Sequence, residues 1–263
     1  MDWGQFDPEG LLRQRYNDTD YRTEDCREEI RRSGCTWHEF ENMYDITWIY
    51  HENGLEGVVL TYPEIRSAVD NKIVSDVSLL PTYRDVKAQK QCIDLIREKA
   101  LNKRSVITLE SLKEMHGLLI NKPEMNGVYR KDIPIHRTYF HEIIQPSKID
   151  DSLKEWLVDL RTKREKTVHG IEFAAKLHHR FMAVFPFSKS SGFIGRLLLN
   201  YVLIREEYMP VVIHATDRQR YYEALRGTER DFCRFLCEVM ENALENTTKF
   251  FQSRRQVSKL RRA

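Results

Sequence analysis

Lys189, Ser190, Ser191 and Gly192 stand in a row immediately before a run of residues with helical spacing. A lysine, two hydroxyls and a glycine at the start of a helix suit an anion, because the first backbone N–H groups of a helix point outward and lack partners. The same residues also serve a plainer end, with Ser190 or Ser191 as an N-cap and Gly192 relieving a tight turn. Composition alone favours the plainer end.

The elements that must position this loop read as helix after helix. Before it, residues 170–184 carry Phe173, Leu177, Phe181 and Val184 at helical spacing. After it, Ile194, Leu197, Leu198, Tyr201, Val202 and Ile204 mark an apolar helix that belongs in the core. Capping boxes are expected at Thr36 with Glu39 and at Thr61 with Glu64, where Pro63 sits harmlessly in the first turn. Further helices are predicted from Arg84 to Lys103, from Thr108 to Leu119, from Asp150 to Glu165, from Asp217 (as cap) to about Gly227, and from Arg230 towards Phe251. Residues 126–146 differ. They begin with Asn-Gly, mix β-branched and aromatic residues and end at Pro, which predicts a short β-hairpin or extended flap. The fold class is all-α with one small β-hairpin.

Composition agrees. The 263 residues contain only 11 Gly and 8 Pro, sparse for a fold built on many turns. Hydrophobic residues at 41% and charged residues at 31% exclude collagen-like and wholly disordered chains. With 42 Lys and Arg against 40 Asp and Glu, the net charge of +2 argues against a dedicated nucleic-acid partner. The acidic N-terminal stretch does not read as a signal peptide, and no apolar run reaches the ~18 residues of a membrane span. The five cysteines are odd in number and lack a CxxC, so free thiols in the cytoplasm are expected. Cys233 and Cys237 lie one helical turn apart. The basic residues 253–263 read as a solvated, disordered tail.

The stretch Phe185-Pro186-Phe187-Ser188-Lys189-Ser190-Ser191-Gly192-Phe193-Ile194-Gly195-Arg196 resembles the HPFxDGNGRxxR signature of the Fic (Fido) family, whose members mostly transfer AMP from ATP to a protein hydroxyl. Other segments are similar to family elements in the same order: residues 55–69, 107–119, the NGVYRKDIPI segment followed by His141, and the region of Tyr221, Tyr222 and Leu225. The resemblance spans roughly residues 50–251. It implies a Fic-type helical bundle, with 1–80 as an N-terminal helical extension, 81–252 as the core, and a flap bearing Ile135 and His141 that docks a target.

The departures decide what function the resemblance implies. Phe185 occupies the position of the general base and cannot accept a proton. Lys189 stands where an acid would hold Mg²⁺. Ser190 and Ser191 replace the first two residues of the phosphate-wrapping Gly-Asn-Gly, where a Cβ restricts the backbone. Phe193 replaces the first arginine, while Gly192 and Arg196 survive. His178 lies seven residues before Phe185, about 10 Å along a helix, so His178 and His179 read as structural histidines and weak candidates for a base. No metal site is expected, and Mg²⁺ is not expected at the usual place. Lys189, Ser190, Ser191, Gly192 and Arg196 remain the candidate phosphate or nucleotide site, with ATP or another nucleotide as its ligand. The family's self-inhibiting helix places a glutamate on the last motif arginine. Here that implies an ion pair between Glu56 and Arg196, with Glu52 at the helix's Ser/Thr position.

The reading is a Fic-fold pseudoenzyme that binds a protein partner through the flap and the former nucleotide cleft. The alternative is a divergent enzyme that uses the remodelled loop for another phosphate-dependent transfer or hydrolysis. A homodimer is left open. So is delivery into a host cell by a non-classical route in place of the cytoplasm.

Overall fold

The computed structural model describes residues 8–34, 37–72, 77–134, 141–162 and 168–260. Among these, ten α-helices and no strand occur. In chain order they are α1 (Pro8–Ser33), α2 (Trp37–Leu55), α3 (Tyr62–Val69), α4 (Leu80–Leu101), α5 (Leu109–Ile120), α6 (Ile149–Arg161), α7 (Gly170–Val184), α8 (Ser191–Arg205), α9 (Arg218–Arg226) and α10 (Glu229–Leu260).

Helix α8 is the axis of the molecule. Every residue from Ser191 to Leu203 is buried. It packs on α4 and α7; α10 covers α7, and α1 covers α10. An all-round buried helix needs every polar side chain satisfied. Asn200 meets this by pairing twice with Val211: its amide donates to the Val211 carbonyl at 2.9 Å and accepts from the Val211 N–H at 2.7 Å. Gly195 lets α7 come close, since a Cβ there would lie 2.8 Å from Met182 Sδ.

The helix ends follow local chemistry. Thr61 and Glu64 form the expected capping box on α3. Thr108 caps α5, with Ser111 as its reciprocal partner. Asp217 precedes α9 but makes no capping bond; its carboxylate faces Arg220 at 3.3 Å instead. Thr228 and Asp231 form a box before α10 that the reading above lacks. The Thr36–Glu39 box and Ile135 lie outside the described residues. Helix α10 continues to Leu260, so most of the stretch read as a disordered tail is helical.

The β-hairpin is not present among the described residues. Its two arms do not pair because their donors go elsewhere: Arg130 N–H donates to Pro186 O and Ile144 N–H to Ala183 O, each at 2.9 Å. Both arms are tied to the end of α7 and the following loop rather than to each other. Among the described residues no helix is long and apolar enough to cross a membrane. Cys26, Cys92, Cys233 and Cys237 are free and buried.

Candidate functional site

The loop between α7 and α8 is built around its backbone. Phe185 ends α7 in the left-handed region, with φ +44°, a conformation that usually selects Gly or Asn at this position. Arg130, itself buried, supplies the donors that the helix end requires. Its Nε donates to Phe185 O at 2.7 Å, and Nη2 donates to Val184 O at 3.2 Å and to Ile144 O. Ser191 closes the other side. Its hydroxyl accepts from Phe187 N–H at 2.7 Å and donates to Phe187 O at 2.8 Å. Ser190 adopts φ +63° just ahead of α8.

The side chains of the loop point inward or to solvent, not to a common centre. Phe185, Phe187 and Phe193 are buried. Phe187 stacks on His116 at 3.9 Å between ring centres, and Phe185 meets His141 edge-on at 5.9 Å. Lys189 is exposed and Ser190 half-buried, whereas Ser191, Gly192 and Arg196 are buried. The five candidate anion-binding residues are therefore divided between the surface and the interior.

Arg196 lies one turn into α8 and carries the charge of the site. Its Nε donates to Glu52 Oε2 at 2.7 Å and its Nη2 to Glu56 Oε1 at 2.8 Å. The Glu56 pair matches the expectation from the resemblance, but Glu52 is a second carboxylate that the reading did not assign to Arg196. Glu52 is also held by Trp48, whose indole donates at 3.2 Å. Burial pushes the Glu52 carboxyl up to about 7 against the pull of Arg196. Glu56 sits directly over the loop, since a Cβ on Gly192 would lie 2.5 Å from Glu56 Oε1.

The end of α2 sets the aim of Glu56. Gly57 has φ +81°, Gly57 N–H donates to Gly54 O and Val58 N–H to Asn53 O, which is the Schellman arrangement with Glu56 as its C-cap. The same end is pinned from below. Arg218 Nε donates to Leu55 O at 2.8 Å, and a Cβ on Gly54 would lie 2.6 Å from that of Ala215.

The histidines take structural places. His178 donates from Nδ1 to Gly195 O at 2.9 Å and accepts at Nε2 from the Tyr221 hydroxyl at 3.0 Å. Burial holds its ring down at about 3, so it stays neutral. Tyr221 in turn lies under the Arg196 guanidinium, 5.6 Å from its ring centre. His179 bonds the Gly227 carbonyl at 3.1 Å, at the end of α9. His141 is buried and its Nε2 bonds Met182 O at 2.9 Å. Sequence reasoning missed Arg130 as a site residue, although it lies in the quoted NGVYRKDIPI segment.

Residues 106–203 match the model of the Fic/DOC family. The match covers the segment that holds the loop and most of α8, so this part of the chain is similar to the Fic/DOC family. Among sequence relatives, the chain is 28% identical over 211 residues to a protein adenylyltransferase Fic of Culex quinquefasciatus, covering 76% of the chain and 41% of the relative. It is 27% identical over 208 residues to that of Nematostella vectensis, covering 75% of the chain and 47% of the relative. The chain thus spans less than half the length of these relatives. Among solved structures it resembles a Fic domain containing signaling protein from Bacteroides thetaiotaomicron VPI-5482, with TM-score 0.74 at 20% identity over 88% of this chain and 98% of that one. It also resembles Fic-1 from C. elegans, with TM-score 0.77 at 20% identity over 93% of this chain and 74% of that one. At such identity the structures speak for the fold alone.

Proposed function

We propose that this chain is a pseudoenzyme: it keeps the family's fold and binds a protein partner without transferring AMP by the Mg·ATP route. The observation that carries this reading is the buried phenyl ring of Phe185 where the family's general base belongs. A phenyl ring cannot take a proton from an attacking hydroxyl. Three further features support it. Lys189 replaces the metal-binding acid and is exposed. The Ser191 hydroxyl is spent on Phe187 at both its donor and acceptor sides. Arg196, the surviving motif arginine, is engaged by Glu52 and Glu56. These residues do not fit Mg·ATP.

Partner binding uses the side of the cleft bounded by α2 and the arms that Arg130 ties down. Val58 and Val59, just past Glu56, are exposed, Val59 at 93%. A divergent enzyme would need Lys189, Arg196 and a histidine facing one opening. Arg196 is buried beside its carboxylates, and His178 is closed between Gly195 and Tyr221.

The test is incubation of the full chain with labelled ATP, Mg²⁺ and cell lysate. Alongside it goes the variant Phe185→His, Lys189→Asp, Ser190→Gly, Ser191→Asn, Phe193→Arg, checked for folding by circular dichroism. The expected outcome is no label from the parent and label on the variant itself or a target. Label transferred by the parent overturns the proposal.

A further inference from the structure

Away from the loop, α2 and α10 face each other across a cavity of about 230 Å³, closed on a third side by Val212, His214 and Asp217. None of its lining residues belongs to α8 or to the loop before it. The walls are aromatic. Phe40 and Tyr44 of α2 lie 5.3 Å apart between ring centres, and Phe250 of α10 lies 5.2 Å from Phe40. The volume is several times the ~30 Å³ share of one water, and such walls offer water few partners.

The polar groups of the lining are neutral and unused. Thr247 is only 2% exposed, yet its hydroxyl makes no hydrogen bond within the described residues. The large majority of buried hydroxyls have a partner, so this one points to a group that the protein does not itself supply. Asn242 and Asn246, one turn apart on α10, stand exposed at the mouth, and neither amide bonds a group among the described residues. Charge is spent or missing. Asp217 faces Arg220 at 3.3 Å, and among the described residues no lysine or arginine lines the cavity. His214 lies flat on His51, with ring centres 4.2 Å apart.

We propose that this cavity binds a small neutral aromatic molecule that carries an amide or hydroxyl group. The size suits a single ring, since pockets for drug-sized ligands run to about 300–1,000 Å³. The ring packs against Phe40, Tyr44 and Phe250, while the polar group pairs with Thr247 and reaches the asparagines at the mouth. An ion would give up its water and meet no free opposite charge. The bound ring braces α2 against α10. Tyr44 meets Trp48 edge-on at 6.3 Å and Trp48 holds Glu52, so two contacts lead from the cavity wall to a carboxylate on Arg196.

Benzamide, benzoate and benzamidinium share one shape and are neutral, anionic and cationic. Each is titrated into the full chain by calorimetry, with the Tm as a second readout. Benzamide is expected to bind and to raise the Tm with concentration. The two ions should bind at least about tenfold more weakly, because neither finds a partner for its charge. Thr247→Val keeps the shape but loses the hydroxyl, and should weaken benzamide about fivefold, the factor for one ordinary hydrogen bond. Ala243→Phe fills the cavity and should abolish binding. Circular dichroism checks the fold of both variants, and if Ala243→Phe does not fold, Thr247→Val decides. No binding of benzamide by either readout overturns the proposal. So do ions that bind as tightly as benzamide, or a Thr247→Val variant that binds benzamide as the wild type does.

Discussion

The loop leading into α8 and the turn around Arg196 adjoin each other, yet they are held by different forces. The loop is secured through its backbone. Arg130 bonds four carbonyls, those of Asp132, Ile144, Val184 and Phe185, and Ser191 bonds both polar groups of Phe187. None of those bonds depends on what the side chains at 185 or 189 can do chemically. The Arg196 turn is secured through side chains, with one guanidinium against two carboxylates. A loop held by main-chain bonds can keep its shape while its side chains change. A turn held by charge keeps its charges or loses its packing. This contrast shows how the loop can hold its shape with Phe185 and Lys189 in it.

The comparison can be broken by removing each kind of support. Arg196→Met should have the largest effect, because it strands Glu52 in a buried site. A loss of roughly 3–5 kcal/mol is expected for breaking such a pair, measured by urea unfolding. Arg130→Met removes donors from several carbonyls at once and should cost about 2–3 kcal/mol, with increased proteolysis of the arms at 126–134 and 141–146 as the local readout. If Arg130→Met costs as much as Arg196→Met, backbone and charge support are not separable. Gly195→Ala forces a methyl against Met182 and should cost about 2 kcal/mol by the same measurement. Ser191→Ala is the mildest, at about 1 kcal/mol, because one hydroxyl is lost from an otherwise intact loop.

The charged turn should also respond to pH where the loop does not. The Glu52 carboxyl is raised from 4.5 to about 7 in the folded protein. The native state therefore binds a proton that the unfolded chain has released. Stability from this group is fully present below pH 4.5 and declines as pH rises towards about 7. Wild type should lose stability relative to Glu52→Gln across that window, whereas Ser191→Ala should track wild type. Parallel curves for wild type and Glu52→Gln would remove the assignment.

Some of this was legible in the sequence. The core helix after the loop could be read from Ile194, Leu197 and Leu198, and the Glu56–Arg196 pair from the family resemblance and a glycine placed to end α2. Glu52 was not legible as a ligand of Arg196, because its burial depends on Trp48 and on packing between α2 and α8. Arg130 was not legible either. Three of its partners are carbonyls 14 to 55 positions away, and carbonyls leave no trace in residue types. The hairpin expectation failed for a related cause: β-branched and aromatic residues favour extended chain, but extended chain pairs with whatever edge is near. Here the edge was the end of α7.

The torsion at Phe185 bears on the Phe185→His exchange that tests the proposed function. A phenylalanine with φ +44° occupies a region where histidine, like Asn and Asp, is found several-fold more often than most side chains. Exchanging the ring for an imidazole therefore asks nothing new of the backbone, and the turn is already shaped for it. Should Phe185→His fold normally and still transfer nothing, the deficit lies not in the scaffold but in the groups around it, with Lys189 and the two glutamates on Arg196 first among them.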